Sequence, residues 1–198
     1  MTALLFSTLI GLIGRGGYAA ILGLMAAESA CIPLPSEVIM PFAGFLAARG
    51  VLSVQGAALA GTLGCLLGSV LAYEFGARGG RAWLEHHGRW LLVRPADLAA
   101  ADRWFARHGD STVFFARLLP VIRTFIALPA GVARMPRLRF VLYTVAGSYL
   151  WCWALAALGA RLGAHWERLA PYFHRADLAL GLTLGLALGL YLYRHLRR

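Results

Sequence analysis

The sequence contains no lysine and has few charged residues of any kind. Of its 198 residues only 14% are charged, and nineteen arginines stand against nine acids, for a formal net charge of +10. With 60% hydrophobic residues and a mean hydropathy of +0.67, the composition leaves no room for a separate soluble domain. It predicts one integral membrane domain, residues 1–198. Nucleic-acid binding is not predicted, because the arginines flank apolar segments and form no single solvated patch.

Residues suited to metal or disulfide chemistry are equally scarce. Cys31, Cys65 and Cys152 are odd in number, widely spaced and embedded in apolar runs, which argues against a disulfide framework or a zinc knuckle. We expect them to be buried small residues. His86 and His87 lack a metal-ligand spacing such as His-Glu-x-x-His. The sequence therefore predicts no metal, no other cofactor and no catalytic residue.

The stretch 114–131 is apolar, yet it carries Arg117, Arg123, Pro120 and Pro129. An arginine at the bilayer centre is penalised by about 2.5–3.5 kcal/mol, so it usually faces a bundle interior or a wet cavity. Pro120 lacks a backbone donor and should break a helix between the two arginines. Broken backbone at membrane depth must be buried in protein or line such a cavity. We therefore expect both arginines near the tip of a re-entrant hairpin.

Residues 18–48 repeat this pattern with the opposite charge. Glu28 and Glu37 enclose Pro33 and Pro35 within an apolar segment. The same physical reasons predict a second re-entrant hairpin with its tip near these prolines.

Three apolar runs, residues 51–73, 140–160 and 178–193, are predicted to span the membrane. Small residues recur every fourth position in the first two runs, which favours close approach of another helix. They are Ala60, Gly64, Gly68 and Ala72 in the first run, and Ser148, Cys152, Ala156 and Ala160 in the second. Residues 77–110 contain an amphipathic pattern typical of an interfacial helix. Whether the short run 3–13 spans the membrane or lies at the interface stays open.

An internal repeat organises these segments. A shift of 87 residues aligns Pro33 with Pro120 and Gly44 with Gly131, and a shift of 83 aligns residues 76–83 with 159–166. Because a hairpin does not cross the membrane and a single helix does, the second copy should start on the opposite side.

The predicted fold is therefore an all-α membrane protein with two inverted repeats, each a re-entrant hairpin plus a transmembrane helix. Its predicted parts are an N-terminal helix (1–17), the first repeat (18–76), an interfacial segment (77–110), the second repeat (111–165), and a C-terminal transmembrane helix with a basic tail (176–198).

Arginine counts predict the orientation. With the C-terminus in the cytoplasm, the inner segments 77–110, 134–139 and 194–198 hold twelve arginines, and the outer segments hold five. The positive-inside rule favours this arrangement.

Two motifs together resemble the DedA family of bacterial membrane proteins, which share the VTT domain. One runs from Glu28 through Pro33, Pro35 and Glu37; the other is residues 114–124, followed by Ala130 and Gly131. The resemblance implies a bacterial cytoplasmic (inner) membrane protein linked to flipping undecaprenyl phosphate or a phospholipid such as phosphatidylethanolamine. It also implies functional roles for Glu28, Glu37, Arg117 and Arg123.

Guanidinium groups bind phosphate through paired, charge-assisted hydrogen bonds. Arg117 and Arg123 could thus hold a lipid headgroup, while Glu28 and Glu37 could exchange protons and couple movement to the proton gradient. The alternative is that these glutamates only pair with the arginines and lock the hairpins together.

Two other classes of protein stay open. One is an integral phosphatase of polyprenyl diphosphate, although no histidine lies within the intramembrane motifs. The other is a non-transporting assembly partner. Self-association into a homo-oligomer is also open.

Overall fold

In the computed structural model, residues 2–32, 34–80, 111–120 and 122–163 are described, and all their regular structure is helical. The all-α prediction is confirmed for these residues. The helices are α1 (Thr2–Ser29), α2 (Ser36–Ala48), α3 (Val54–Phe75), α4 (Ser111–Arg117), α5 (Ile122–Phe125), α6 (Ala127–Val132) and α7 (Arg137–Leu162), and a π-helical turn, Gly76–Gly80, continues α3. Pro33, the predicted interfacial segment after residue 80 and the predicted helix 176–198 lie outside the described residues.

Within the described residues, three helices are long and apolar enough to cross a membrane: Thr8–Ser29, Val54–Arg78 and Arg137–Leu162. The last two match the predicted runs 51–73 and 140–160. The first, within α1, is kinked at Gly17, whose backbone is not helical (φ 52°, ψ −130°), so two helical segments meet there. Glycine adopts a positive φ at little cost, and the kink falls at the predicted division between residues 17 and 18.

Helix α3 packs closely against α1 through its small residues. A methyl group at Gly64 would overlap the carbonyl oxygen of Leu22, and one at Gly68 would overlap that of Ala26. The predicted close approach is therefore confirmed. Leucines lie exposed along the neighbouring face of α3, where lipid would cover them: Leu59, Leu63, Leu67 and Leu71.

Two further glycines bring the shorter helices against the long ones. A methyl group at Gly44 in α2 would overlap the carbonyl oxygen of Ala156 in α7. Similarly, one at Gly131 in α6 would overlap the carbonyl oxygen of Tyr73 in α3. Helices α3 and α7 thus each receive one short helix at backbone contact, and only glycine fits at these positions.

The turns between the shorter helices have clear causes. Helix α4 ends at Arg117 and α5 begins at Ile122, so the predicted break of the helix near Pro120 is confirmed. Helix α1 ends where Cys31 adopts a positive φ of 69° and the Ile32 amide bonds back to the Ala27 carbonyl at 3.2 Å. Whether either segment enters and leaves on one side of a membrane stays a prediction.

Candidate functional site

Arg117 is fully buried at the end of α4, with 0% of its surface exposed. Its Nη2 donates to the hydroxyl of Ser69 at 2.6 Å. That hydroxyl in turn donates to the backbone carbonyl of Cys65, one turn earlier in α3. The arginine is therefore held against the middle of a spanning helix.

Arg123 lies in α5 and is 1% exposed. Its Nη2 is 3.3 Å from Glu28 Oε2 and 3.3 Å from the sulfur of Cys65. Its guanidinium carbon is 5.2 Å from the ring centroid of Trp151 on α7, within the range of a cation–π interaction. Three helices thus converge on this one side chain.

Glu28 lies in the last turn of α1 and is 3% exposed. The neighbouring turn also reaches the arginine segment, because the thiol of Cys31 lies 3.7 Å from the carbonyl oxygen of Thr124. The structure therefore brings Glu28 and Arg123 together, as opposite buried charges would require. Arg117 and Arg123 contact α3 at Ser69 and Cys65, which are one helical turn apart, or about 5–6 Å.

Several donors in this cluster lack a hydrogen-bond partner among the described residues. They are Arg117 Nε, Arg117 Nη1 and Arg123 Nη1. Buried polar groups are normally hydrogen-bonded, and an unmatched one is costly. The cluster also holds two buried guanidinium groups and one buried carboxylate. The net positive charge of the cluster and its unpaired N–H donors are both suited to binding an oxyanion.

Glu37 does not join this ion pair. It lies half-buried in the first turn of α2, and its Oε2 accepts a hydrogen bond from the Ser36 hydroxyl at 3.4 Å. Within the described parts of the chain it forms no salt bridge. Its carboxylate therefore has no fixed cationic partner there.

The predicted structural residues of the hairpins fall at turns or close contacts. Pro35 directly precedes α2, and its carbonyl oxygen accepts from the amides of Val38 and Ile39 at 3.0 and 3.2 Å. Pro120 lies exposed in the break between α4 and α5. Gly44 and Gly131 make the backbone contacts described above.

Three site residues were not predicted from the sequence: Cys65, Ser69 and Trp151. Cys65 was expected only to be a buried small residue, and it is buried, but it also contacts Arg123. The sequence did contain one indication of this, because Cys65 and Ser69 each follow a glycine of the small-residue series in α3. The two residues are four positions apart and therefore lie on the same side of that helix.

A cavity of about 400 Å³ lies beside the arginine segment. Most of its lining is apolar: Ser111, Thr112, Phe115, Ala116, Leu119, Ile122 and Ile126. Ala116 and Ile122 directly neighbour Arg117 and Arg123 in sequence. An apolar groove therefore runs next to a buried cationic cluster.

Known proteins resemble this chain over most of its length. A family model described as the VTT domain matches residues 34–161. Undecaprenyl phosphate transporter A of Bacillus subtilis (strain 168) is 35% identical over 164 residues, covering 82% of this chain and 80% of that protein.

The transporter of the same name from Staphylococcus aureus (strain NCTC 8325 / PS 47) is 31% identical over 166 residues, covering 82% of each chain. An "alkaline phosphatase-like protein" of Lactococcus lactis subsp. cremoris (strain MG1363) is 35% identical over 167 residues, covering 82% of this chain and 78% of that one. No solved structure matches the chain.

Proposed function

The chain belongs to the VTT-domain family, also called the DedA family, and we propose that it carries a phosphate-bearing lipid across the membrane without changing it chemically. The observation that carries this proposal is the pair of buried arginines with unmatched donors. Two relatives named as undecaprenyl phosphate transporters support a polyprenyl phosphate as the substrate. A phospholipid such as phosphatidylethanolamine is the second substrate to test.

The phosphate binds between Arg117 and Arg123. Their guanidinium groups offer three N–H-bearing atoms that no described residue satisfies. Phosphate oxygens accept such bonds in the planar, paired geometry that guanidinium presents. Binding the headgroup would thus satisfy donors whose burial otherwise destabilises the protein.

The lipid tail lies in the apolar groove beside the arginine segment. The groove is lined by Phe115, Leu119 and Ile122, each about half exposed or more. A hydrocarbon chain placed there can remain continuous with the bilayer while its headgroup reaches the arginines. The protein then needs to shield only the charged end of its substrate.

Glu28 couples transport to protons. It pairs with Arg123, so phosphate and carboxylate compete for the same guanidinium group. A proton on Glu28 releases Arg123 for the phosphate, and its loss restores the ion pair after the lipid departs. Glu37, which has no described ion-pair partner, is the second candidate for this proton.

The membrane topology that suits this cycle is a pair of inverted repeats with re-entrant hairpins. Gly44 contacts Ala156, and Gly131 contacts Tyr73. The internal repeat relates these two contacts, because Gly131 lies 87 residues after Gly44 and Ala156 lies 83 residues after Tyr73. A second pair of contacts follows the same offsets: Gly159 with the carbonyl of Pro41, and Gly76 with the carbonyl of Leu128.

We place the protein in the bacterial inner membrane with a cytoplasmic C-terminus. Cysteines introduced at the exposed positions Arg49 and Arg134, in a background lacking the natural cysteines, test this topology. The first should react with an impermeant thiol reagent from outside and the second only from inside. Labelling of both from one face would contradict the inverted repeats.

Reconstituted vesicles test the function. Purified protein should move undecaprenyl phosphate between leaflets without releasing inorganic phosphate. Release of phosphate would instead indicate a phosphatase, as the name of one relative suggests. Neither translocation nor phosphate release, with phospholipid also tested, would favour an assembly partner.

A further inference from the structure

Three polar side-chain atoms on one face of α7 have hydrogen-bonding capacity that the site described so far does not use. The side-chain atoms Thr144 Oγ1, Ser148 Oγ and Trp151 Nε1 are buried and have no hydrogen-bond partner among the described residues. Thr144 is 0% exposed and Ser148 is 1% exposed. Because positions three, four and seven apart lie on the same side of a helix, all three share one face.

This face is turned towards the two buried arginines. Gly147 lies on it, and a methyl group there would come within 2.7 Å of Arg117 Cβ and 3.2 Å of its Cγ. One turn later, the Trp151 ring lies 5.2 Å from the guanidinium carbon of Arg123. The unmatched atoms of α7 therefore lie on the helix face that contacts both buried arginines.

The two hydroxyls depart from what hydroxyls in a spanning helix ordinarily do. A serine or threonine there can donate to the carbonyl four residues earlier. Thr62 does so to Ala58 at 2.7 Å, and Ser69 does so to Cys65. Thr144 and Ser148 make no such bond, so their hydroxyl groups stay free to donate to another group.

We propose that Thr144, Ser148 and Trp151, on the face of α7 that contacts the arginines, bind the phosphate of the transported lipid. The inference rests on the proposed function and extends it. The arginines supply the charge, while α7 supplies neutral donors that fix the position of a phosphate oxyanion. An indole N–H can only donate, so Trp151 cannot serve a cation in the same place.

The test measures binding to the purified full-length protein by thermal unfolding, with three additions: undecaprenyl phosphate, the neutral undecaprenol and inorganic phosphate. The variants are Thr144→Val, Ser148→Ala and Trp151→Phe. Matched controls are Thr62→Val, whose hydroxyl is already satisfied, and Trp153→Phe, which is 40% exposed on the other side of α7.

Each α7 variant should bind undecaprenyl phosphate about tenfold more weakly, since each loses one hydrogen bond to a charged group. Without lipid, Thr144→Val and Ser148→Ala should unfold at or slightly above the temperature of the unaltered protein, because an unmatched buried polar atom is gone. Trp151→Phe also loses part of the ring that lies over Arg123, so it should unfold at a somewhat lower temperature. The controls should bind as the unaltered protein does.

Unchanged affinity in all three α7 variants, while the unaltered protein prefers the phosphate lipid over undecaprenol, would overturn this inference and leave the proposed function intact. If the unaltered protein does not distinguish the two lipids, the proposed function fails and the inference with it. Equal stabilisation by inorganic phosphate, lost in the α7 variants, would support the anion site and overturn its assignment to a lipid.

Discussion

In the part of the chain that the structure describes, two clusters of glutamate and arginine differ in environment. In the first, Glu28 and Arg123 are 3% and 1% exposed and 3.3 Å apart. In the second, Glu74 at the end of α3 pairs with Arg78 at 2.8 Å and with Arg137 at 3.1 Å, and both arginines are largely exposed. The chemistry is the same, but only one cluster is removed from solvent.

The clusters also differ in how completely their donors are used. At the exposed cluster, water can accept hydrogen bonds from the arginine N–H groups that the single carboxylate does not bind. At the buried cluster the one carboxylate pairs with Arg123 alone, and three nitrogens of Arg117 and Arg123 have no described partner. Because such burial is unfavourable, the buried cluster is poorly suited to stabilise the fold and well suited to bind an anion.

The largest difference should appear on removing one arginine from each cluster. Arg123→Ala leaves Glu28 buried without its partner, which typically costs about 3–5 kcal/mol. Arg137→Ala should cost about 1 kcal/mol or less, because exposed pairs contribute little. Thermal unfolding of the purified variants measures both.

Adding Glu28→Gln to Arg123→Ala should restore most of the lost stability, since it removes the stranded charge, but it should not restore translocation. If Arg123→Ala unfolds no more easily than Arg137→Ala, the buried pair is not formed as described.

The next effect concerns the shape of the cation. Lysine keeps the charge but loses the planar fork that matches two phosphate oxygens. Arg117→Lys and Arg123→Lys should therefore bind undecaprenyl phosphate roughly tenfold to a hundredfold more weakly, the value of one charge-assisted hydrogen bond. Binding to the purified proteins measures this loss.

Arg137→Lys is the matched control, because it changes the exposed cluster in the same way and should leave both binding and translocation unchanged. Full activity of the Arg117→Lys and Arg123→Lys variants would argue against bidentate phosphate binding.

The glutamates of the two clusters should also differ in their effect on proton-coupled transport. If one proton moves with each lipid, a gradient of one pH unit sustains about a tenfold difference in lipid distribution, or about 1.4 kcal/mol. Glu28→Gln should abolish this dependence in vesicles while phosphate-lipid binding remains detectable. Glu74→Gln should preserve it.

Glu37→Gln identifies the second candidate for the coupling proton. Gradient dependence that survives in both the Glu28 and Glu37 variants would remove the glutamates from this role.

Local physics was enough to predict much of the fold. Uncharged runs predicted the spanning helices α3 and α7, and Pro120 predicted the break between α4 and α5. Each of these features depends on a few neighbouring residues and on the cost of burying polar groups. The kink within α1 has a similarly local cause, since glycine readily adopts the positive φ found at Gly17.

The candidate site was predictable only in part. Opposite charges in apolar segments left pairing of Glu28 and Glu37 with the arginines as an alternative, but did not predict that Glu28 would pair with Arg123 while Glu37 would not. That choice depends on tertiary packing, which brings the last turn of α1 to α5. The contributions of Ser69 and Trp151 likewise arise from tertiary packing, which no local pattern specifies.

The smallest expected effect lies at the exposed cluster. Glu74 is 23% exposed and contacts Arg78 and Arg137, which are 78% and 68% exposed. Solvent screens these pairs, and ordering long side chains offsets part of their attraction, so Glu74→Gln should lower the free energy of unfolding by less than about 1 kcal/mol. The difference should shrink further in 1 M salt, where the screening length is about 3 Å.

Arg123 and Glu28 lie within the protein, where mobile ions do not reach, so the loss caused by Arg123→Ala should be nearly independent of salt. Thermal unfolding of both variants at low and high salt makes the comparison directly. A salt-independent loss above about 2 kcal/mol in Glu74→Gln would place Glu74 among the buried charges and remove the distinction between the two clusters.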